Sequence, residues 1–166
     1  MRARPVELQV QLPLAFSAAR ESFTRVVREL GEANGSPERH TLAVYLRDLH
    51  VGVRGEIRVP IAVEIAEHAT RFESAISIRA ASDKGYFPTF EGTLSISPVA
   101  THSELWLQGT YQPPLGIVGA LLDRTLLRNA AHRSLQAFLA RIADDITGDE
   151  REREERHARD IRDMHH

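Results

Sequence analysis

Apolar side chains recur at every second residue through the middle of this chain, and this feature restricts the fold more than any other. Clear examples lie at residues 57–65, 90–96 and 105–111, with mostly polar residues at the intervening positions. Period two predicts strands with one buried face, and the short connections predict an antiparallel meander. Between about residues 117 and 146 the apolar residues lie three or four apart, which predicts one helix of about 45 Å that crosses the sheet.

The N-terminal third predicts a strand followed by two short helices. Alternation from Val6 to Leu14 indicates the strand, and Ser17 is a candidate cap for a helix that ends near Gly31. The run Ser-Pro-Glu at 36–38 is a helix start signal and favours a second helix from Pro37 to about Arg47. The alternative is a strand through TLAVYL. The predicted class is α+β, with a six- or seven-stranded antiparallel sheet against the long C-terminal helix.

The end of the chain has a different composition from the rest. Gly148 is expected to close the long helix, which divides the chain into a domain at residues 1–147 and a charged tail at residues 148–166. The tail holds almost no apolar residues and is expected to be frayed or helical, supported weakly by pairs such as Glu152 with Arg156. We expect it to be dispensable for folding, with docking of a partner protein as the alternative.

Composition and motifs exclude several classes of function. The 21 basic and 23 acidic residues argue against a nucleic-acid binder, and the lack of cysteine removes thiol chemistry and cysteine-ligated zinc. The eight histidines lack metal-ligand spacing, and neither a phosphate-binding loop nor a nucleophile elbow is present, so we expect no metal or cofactor. No apolar run reaches the roughly 20 residues of a membrane span, which predicts a cytoplasmic protein without stable membrane insertion.

Two runs, FPTFEGTLSISP at 87–98 and LQGTYQPPLGIVGALLDRTLLRNAAHRSLQAFL at 107–139, resemble bacterial members of the START-like (SRPBCC) superfamily. YLRDLHVGV at 45–53 is similar to theirs as well. This superfamily includes the birch-pollen allergen and polyketide-cyclase-like proteins, and the resemblance covers about residues 5–146. It implies the helix-grip fold, in which a curved sheet wraps around the long helix and leaves an apolar cavity. Gly92 and Gly109 fit the required bend, because strand glycines mark bulges or close approaches.

The expected cavity would be the ligand site, entered between the long helix and the N-terminal elements. Tyr111 has the buried parity and precedes the turn into the helix, although a buried tyrosine bonded to a carbonyl is an equal alternative. The charge of Arg124 must meet a carboxylate, a ligand or water, so a ligand contact competes with a salt bridge. The predicted ligand contacts are Tyr45, Phe72, Phe90, Tyr111, Arg124 and His132.

Predominantly aliphatic inward faces favour binding a small hydrophobic or amphipathic molecule over transforming one. The first interpretation is therefore a carrier or sensor. Its ligand would be an apolar molecule with an acidic group, which would pair with Arg124 while the apolar part packs against the apolar lining of the cavity. The alternatives are a cyclase- or dehydratase-type enzyme using Tyr111, Arg124 or His132, and an interaction module that docks through the tail or the surface around Trp106. No set of acid and base groups converges in the sequence, so whether the chain is an enzyme stays open.

Overall fold

Six strands and two helices occupy the residues that the computed structural model describes, which are 4–32, 41–45, 56–67, 73–80, 89–112 and 124–163. In chain order they are β1 (Arg4–Leu12), α1 (Phe16–Glu32), β2 (Thr41–Tyr45), β3 (Glu56–Glu67), β4 (Glu73–Ala80), β5 (Thr89–Val99), β6 (His102–Gln112) and α2 (Arg124–Asp163). The predicted α+β class, with an antiparallel sheet and a long C-terminal helix, is confirmed.

The strands form one antiparallel sheet in the order β1-β6-β5-β4-β3-β2. Strands β3 to β6 follow one another as the predicted meander, β2 pairs with β3 at one edge, and β1 pairs with β6 at the other. Ala100 and Thr101 make the β5–β6 turn, where Ala100 has a φ of 49°, the left-handed conformation that two-residue hairpin turns use. The edges of the sheet are therefore β1 and β2.

One face of the sheet, here called the inner face, carries the apolar residues that the alternation predicted to be buried. Its register aligns side chains in rows across the strands, because directly opposite residues share a face. Two rows are used below. The aromatic row consists of Arg4, Tyr111, Phe90, Ile78 and Val63. The adjacent glycine row consists of Val6, Gly109, Gly92, Ile76 and Ile65.

Both helices cover the inner face. The apolar stripe of α2 is buried as its spacing predicted, at Ala131, Leu135, Phe138, Leu139, Ile142 and Ile146. Among the described residues, α2 contacts the two edge strands β1 and β2 more extensively than the strands between them. A helix that crossed a flat sheet would contact the strands between the edges as well, so this pattern indicates that the sheet curls around α2. The long helix is therefore gripped by the sheet.

The second predicted helix is wrong over Thr41–Tyr45, because these residues form β2 and pair with the first half of β3. The strand alternative is right at this point. The segment TLAVY contains a threonine, a valine and a tyrosine, which suit a pleated strand, and a long neighbouring strand offers an edge for pairing. The start signal at 36–38 and the alternating residues at 49–53 lie outside the described residues.

The predicted end of the long helix at Gly148 is also wrong, since α2 continues without a break to Asp163. Its 40 residues correspond to about 60 Å. A glycine inside a helix costs about 1 kcal/mol relative to alanine, which is small enough for contacts made by the following turn to outweigh it. The predicted start near residue 117 lies outside the described residues.

Those contacts form a cluster between α1 and the turn after Gly148, here called the polar junction: Glu21, Ser22, Arg25, Asp149, Glu150 and Arg153. Arg25 pairs with Asp149, and the buried Ser22 Oγ donates a hydrogen bond to Glu150 Oε2 at 3.3 Å. Arg153 bridges both helices, with Nη2 2.5 Å from Glu21 Oε2 and Nη1 2.9 Å from Glu150 Oε2. The hydrogen bond to Glu21 raises the pKa of Arg153 above its ordinary value.

Beyond the polar junction, the described side chains of α2 are turned toward solvent. Side chains from residue 154 to residue 162 are all exposed, and Glu155 pairs with Arg159 on the same helix at 3.6 Å, as the spacing of charges suggested. In the described ranges, no helix is both long and apolar enough to cross a membrane.

Candidate functional site

Two of the predicted ligand contacts, Phe90 and Tyr111, lie directly opposite each other on adjacent strands of the inner face. Phe90 is 2% exposed and Tyr111 is 3% exposed, so both side chains are inside the fold. Their register places an aromatic pair between the aliphatic side chain of Ile78 on one side and Arg4 of the edge strand on the other. The structure therefore brings these two predicted residues into one row.

The glycine row beside them is built for a close approach. A Cβ atom on Gly92 would lie 2.1 Å from the carbonyl oxygen of Gln108, and one on Gly109 would lie 2.3 Å from that of Glu91. No side chain fits at such distances, so only glycine satisfies both positions. Since the register runs through the pair without interruption, these glycines mark a close approach and not a bulge.

The ring of Phe90 lies over this glycine pair. Its Cζ atom is 2.8 Å from the ideal Cβ position of both Gly92 and Gly109, so the ring occupies the space that their side chains would fill. The ring thus extends along its own strand to cover the glycine row and does not stand upright over the aromatic row. The inner surface next to Tyr111 is bounded by the neighbouring side chains of Ile78 and Arg4.

Arg4 is the one charged residue in these two rows, and the sequence analysis missed it as a site residue. It alternates in phase with Val6 and Leu8, which places it on the inner face, and it is partly buried. Its phase was visible in the sequence. Its proximity to Tyr111 was not, because that depends on pairing between the first strand and the last.

The other predicted contacts do not join the Phe90–Tyr111 pair among the described residues. Tyr45 ends β2 and Arg124 begins the described part of α2, but the structure does not describe their side chains. Phe72 lies outside the described residues. His132 is exposed on α2, away from the buried stripe. Its assignment to the ligand site, like those of Tyr45, Phe72 and Arg124, stays a prediction.

The two rows together form an apolar surface with one polar end. Apart from the Tyr111 hydroxyl and the Arg4 guanidinium, their side chains are aliphatic, aromatic or absent. Within the described ranges, no group of three or more histidine, cysteine, aspartate or glutamate residues is placed to hold a metal ion. Trp106 is partly buried on the opposite face of the sheet, across from Gln9 and Ser95, as its parity predicted.

Comparison with known proteins finds similarity in structure only, since no family model and no curated protein matches the sequence. A conserved protein from Geobacillus kaustophilus is 11% identical with a TM-score of 0.55, and the match covers 87% of this chain and 96% of that one. A norcoclaurine synthase point mutant from Thalictrum flavum is 12% identical with a TM-score of 0.51, covering 92% and 97%. The Zhui aromatase/cyclase from Streptomyces sp. R1128 is 14% identical with a TM-score of 0.49, covering 92% and 96%.

Matches at this level of identity establish architecture and nothing finer. The first two extend over nearly the full length of both chains, so they concern the whole arrangement of sheet and helices and not one shared motif. The chain therefore shares its fold with these two proteins, and the arrangement is the helix-grip fold that the resemblance of the runs at 87–98 and 107–139 implied.

Proposed function

We propose that this protein binds a small hydrophobic or amphipathic molecule between the inner face of the sheet and α2, as a carrier or sensor. The observation that carries the proposal is the aromatic row, in which the buried pair Phe90 and Tyr111 lies among aliphatic side chains next to a single cation. Burying apolar ligand surface against such a row contributes about 25 cal/mol per Å². A lone polar end then fixes the orientation of the ligand.

The position of α1 supports placing the ligand at the end of the sheet that carries the aromatic row, because the contacts of α1 described here lie toward the other end. Ser103 Oγ donates a hydrogen bond to the Leu14 carbonyl at 3.0 Å, which holds the start of α1 at the first residues of β6. The other end of α1 reaches the glycine row, where an added Cβ on Gly31 would lie 3.9 Å from Ile65. These contacts end one row short of the aromatic row, which lies about 26 Å along β6 from Ser103.

The remaining predicted contacts, Tyr45, Phe72, Arg124 and His132, belong to this proposal. Tyr45 ends an edge strand that α2 contacts, and Arg124 lies at the beginning of the described part of α2. The ligand was predicted to enter between the long helix and the N-terminal elements. One of those elements is strand β2, where the sequence suggested a second helix.

Two isoleucines of equal burial give a direct test of the location. Ile78 lies in the aromatic row and Ile96 lies near the other end of the inner face, opposite Leu105, and each is 3% exposed. If the aromatic row borders the ligand, Ile78→Phe fills the site, abolishes saturable binding of a fluorescent fatty acid and leaves the fold stable. Ile96→Phe enlarges a packed region, so it lowers stability by about 1–3 kcal/mol and retains binding in the folded fraction.

The identity of the ligand is best approached by native mass spectrometry of protein purified from its own host. A retained mass that disappears in the Ile78→Phe variant and persists in Ile96→Phe would support the proposal. Equal retention by both variants would place the molecule elsewhere, and the absence of saturable binding for apolar molecules of several chain lengths would contradict the proposed function.

The two alternatives have weaker support. A cyclase- or dehydratase-type enzyme would need Tyr111, Arg124 or His132 to converge in pairs, whereas His132 is exposed. An interaction module is favoured by a contiguous exposed apolar patch, and the described surface has one exposed large hydrophobic side chain, Ile161 at 42%.

A further inference from the structure

We propose that Arg4 binds an acidic group of the ligand, and hence that the ligand class is an apolar molecule ending in a carboxylate. This inference rests on the proposed function, because it specifies which molecule occupies the same site. It assigns the polar end of the site to the first strand, in addition to or in place of the arginine on α2 that the sequence suggested.

The position of Arg4 is set by pairing of the first and last strands. Arg4 is directly opposite Tyr111, which is in turn opposite Phe90. Arg4 alternates in phase with the buried Leu8, so it belongs to the inner face, and its partial burial agrees with a place at the rim. A guanidinium at the rim of this apolar row would meet the polar end of a bound molecule, and the apolar part of that molecule would then lie along the row.

Within the part of the chain that the structure describes, the guanidinium of Arg4 has no internal counter-ion. Arg4 forms neither an ion pair nor a side-chain hydrogen bond with any residue in the described part of the chain. The nearest carboxylates in register, Glu7 on its own strand and Glu91 on β5, alternate out of phase and belong to the opposite face of the sheet. A partly desolvated cation gains most from an anion supplied from outside the protein.

The geometry of the row suits a chain-like acid. Arginine offers a planar fork of donors that matches a carboxylate, and the Tyr111 phenol lies on the neighbouring strand. From β1 to β3 the row spans four strand spacings, about 19 Å. Beyond Tyr111 the residues in register are Phe90, whose ring lies over the glycine row, then Ile78 and Val63. An acid of this length would place its carboxylate at Arg4 and its apolar chain across the strands.

A comparison of a fatty acid with the fatty alcohol of the same chain length tests the assignment. Palmitic acid and hexadecanol are each titrated against a bound fluorescent probe on wild type, Arg4→Gln and Arg141→Gln. Arg141 is an exposed arginine of α2, so its variant matches the loss of charge without touching the site. Wild type and Arg141→Gln should prefer the acid by about tenfold or more, since hydrogen bonds to charged groups are the strong ones. Arg4→Gln should bind the two equally, with its affinity for the alcohol unchanged.

The outcomes separate this inference from the proposed function. If wild type binds both molecules and Arg4→Gln still prefers the acid, Arg4 does not bind the acidic group. The proposed ligand site would be unaffected by that result. Loss of that preference in Arg124→Gln, with Arg4→Gln unaffected, would assign the acid to α2. If neither molecule binds wild type, the proposed function fails for this class of ligand and the inference fails with it.

Discussion

The two halves of α2 are attached to the rest of the protein by different kinds of contact. From Ala131 to Ile146 the helix buries an apolar stripe against the sheet, and from Asp149 to Arg153 it is joined to α1 by ion pairs and hydrogen bonds. Apolar burial stabilises in proportion to area and tolerates small shifts, whereas the polar junction depends on specific atoms at specific distances. The first kind of contact repeats along the sequence as a pattern, and the second kind does not.

The largest effect is expected from the apolar half. Phe138→Ala and Leu135→Ala should each lower the free energy of unfolding by about 2–5 kcal/mol, because each leaves a cavity under a side chain that is 4% exposed. Urea denaturation measures the change. Midpoints that barely move would mean that this face of the helix looks onto an open cavity and does not pack against the sheet.

A slightly smaller loss is expected from the surface against which that half packs. Gly92→Ala places a methyl group against the Gln108 carbonyl and the Phe90 ring, so the strands must separate or the ring must move. We expect a cost of about 1–3 kcal/mol, as for other overpacked sites. In a Phe90→Ala background the contact with the ring is gone and the contact with the backbone remains, so Gly92→Ala should cost less than in wild type but still lower the melting temperature. No effect of Gly92→Ala in that background would contradict the backbone clash.

Truncation tests the polar half and revises the expectation that everything after Gly148 is dispensable. Ending the chain at Gly148 removes three residues of the junction and leaves Arg25 without Asp149, which should cost about 1–3 kcal/mol. Ending it at Arg153 keeps the junction, and the described side chains that it removes, at residues 154–162, are exposed. The two melting temperatures should differ by several degrees, and equal values would show that the junction contributes nothing to stability.

The smallest effect is expected for a single member of the junction. Arg153→Gln should lower stability by at most about 1 kcal/mol, because its side chain is 32% exposed and its ion pairs are screened by solvent. The difference between wild type and variant should disappear in 1 M salt, where the Debye length falls to about 3 Å. The difference in stability between wild type and Phe138→Ala should persist in 1 M salt. If salt removed that difference too, the two halves of α2 would not be held by different kinds of contact.

What could be predicted from sequence follows the same division. Periodicity located β3, β5, β6 and the buried stripe of α2, because each pattern is local and repeats. The assignments that failed rested on single local signals. The start signal at 36–38 did not extend a helix through β2, and Gly148 did not end α2, because pairing with β3 and contacts with α1 decided these segments.

The candidate site also shows what periodicity in the sequence cannot predict. Alternation identified Phe90 and Tyr111 as inward-facing, yet their position directly opposite each other depends on the β5–β6 register. Arg4 was overlooked because its partner, Tyr111, lies on the last strand, more than a hundred residues away in the chain. Parity gives the face on which a side chain lies, and only the register gives its neighbours.

The pairing of β1 with β6 has a consequence for the order of assembly during synthesis. On a ribosome, β1 emerges first, and its hydrogen-bonding partner is completed only when residue 112 has been added. Until then the strand exposes an unpaired edge and one apolar face, while β2 to β6 have sequence neighbours with which to pair. The proposed ligand row is completed in the same late step, since Arg4 meets Tyr111 only when the chain closes this long loop.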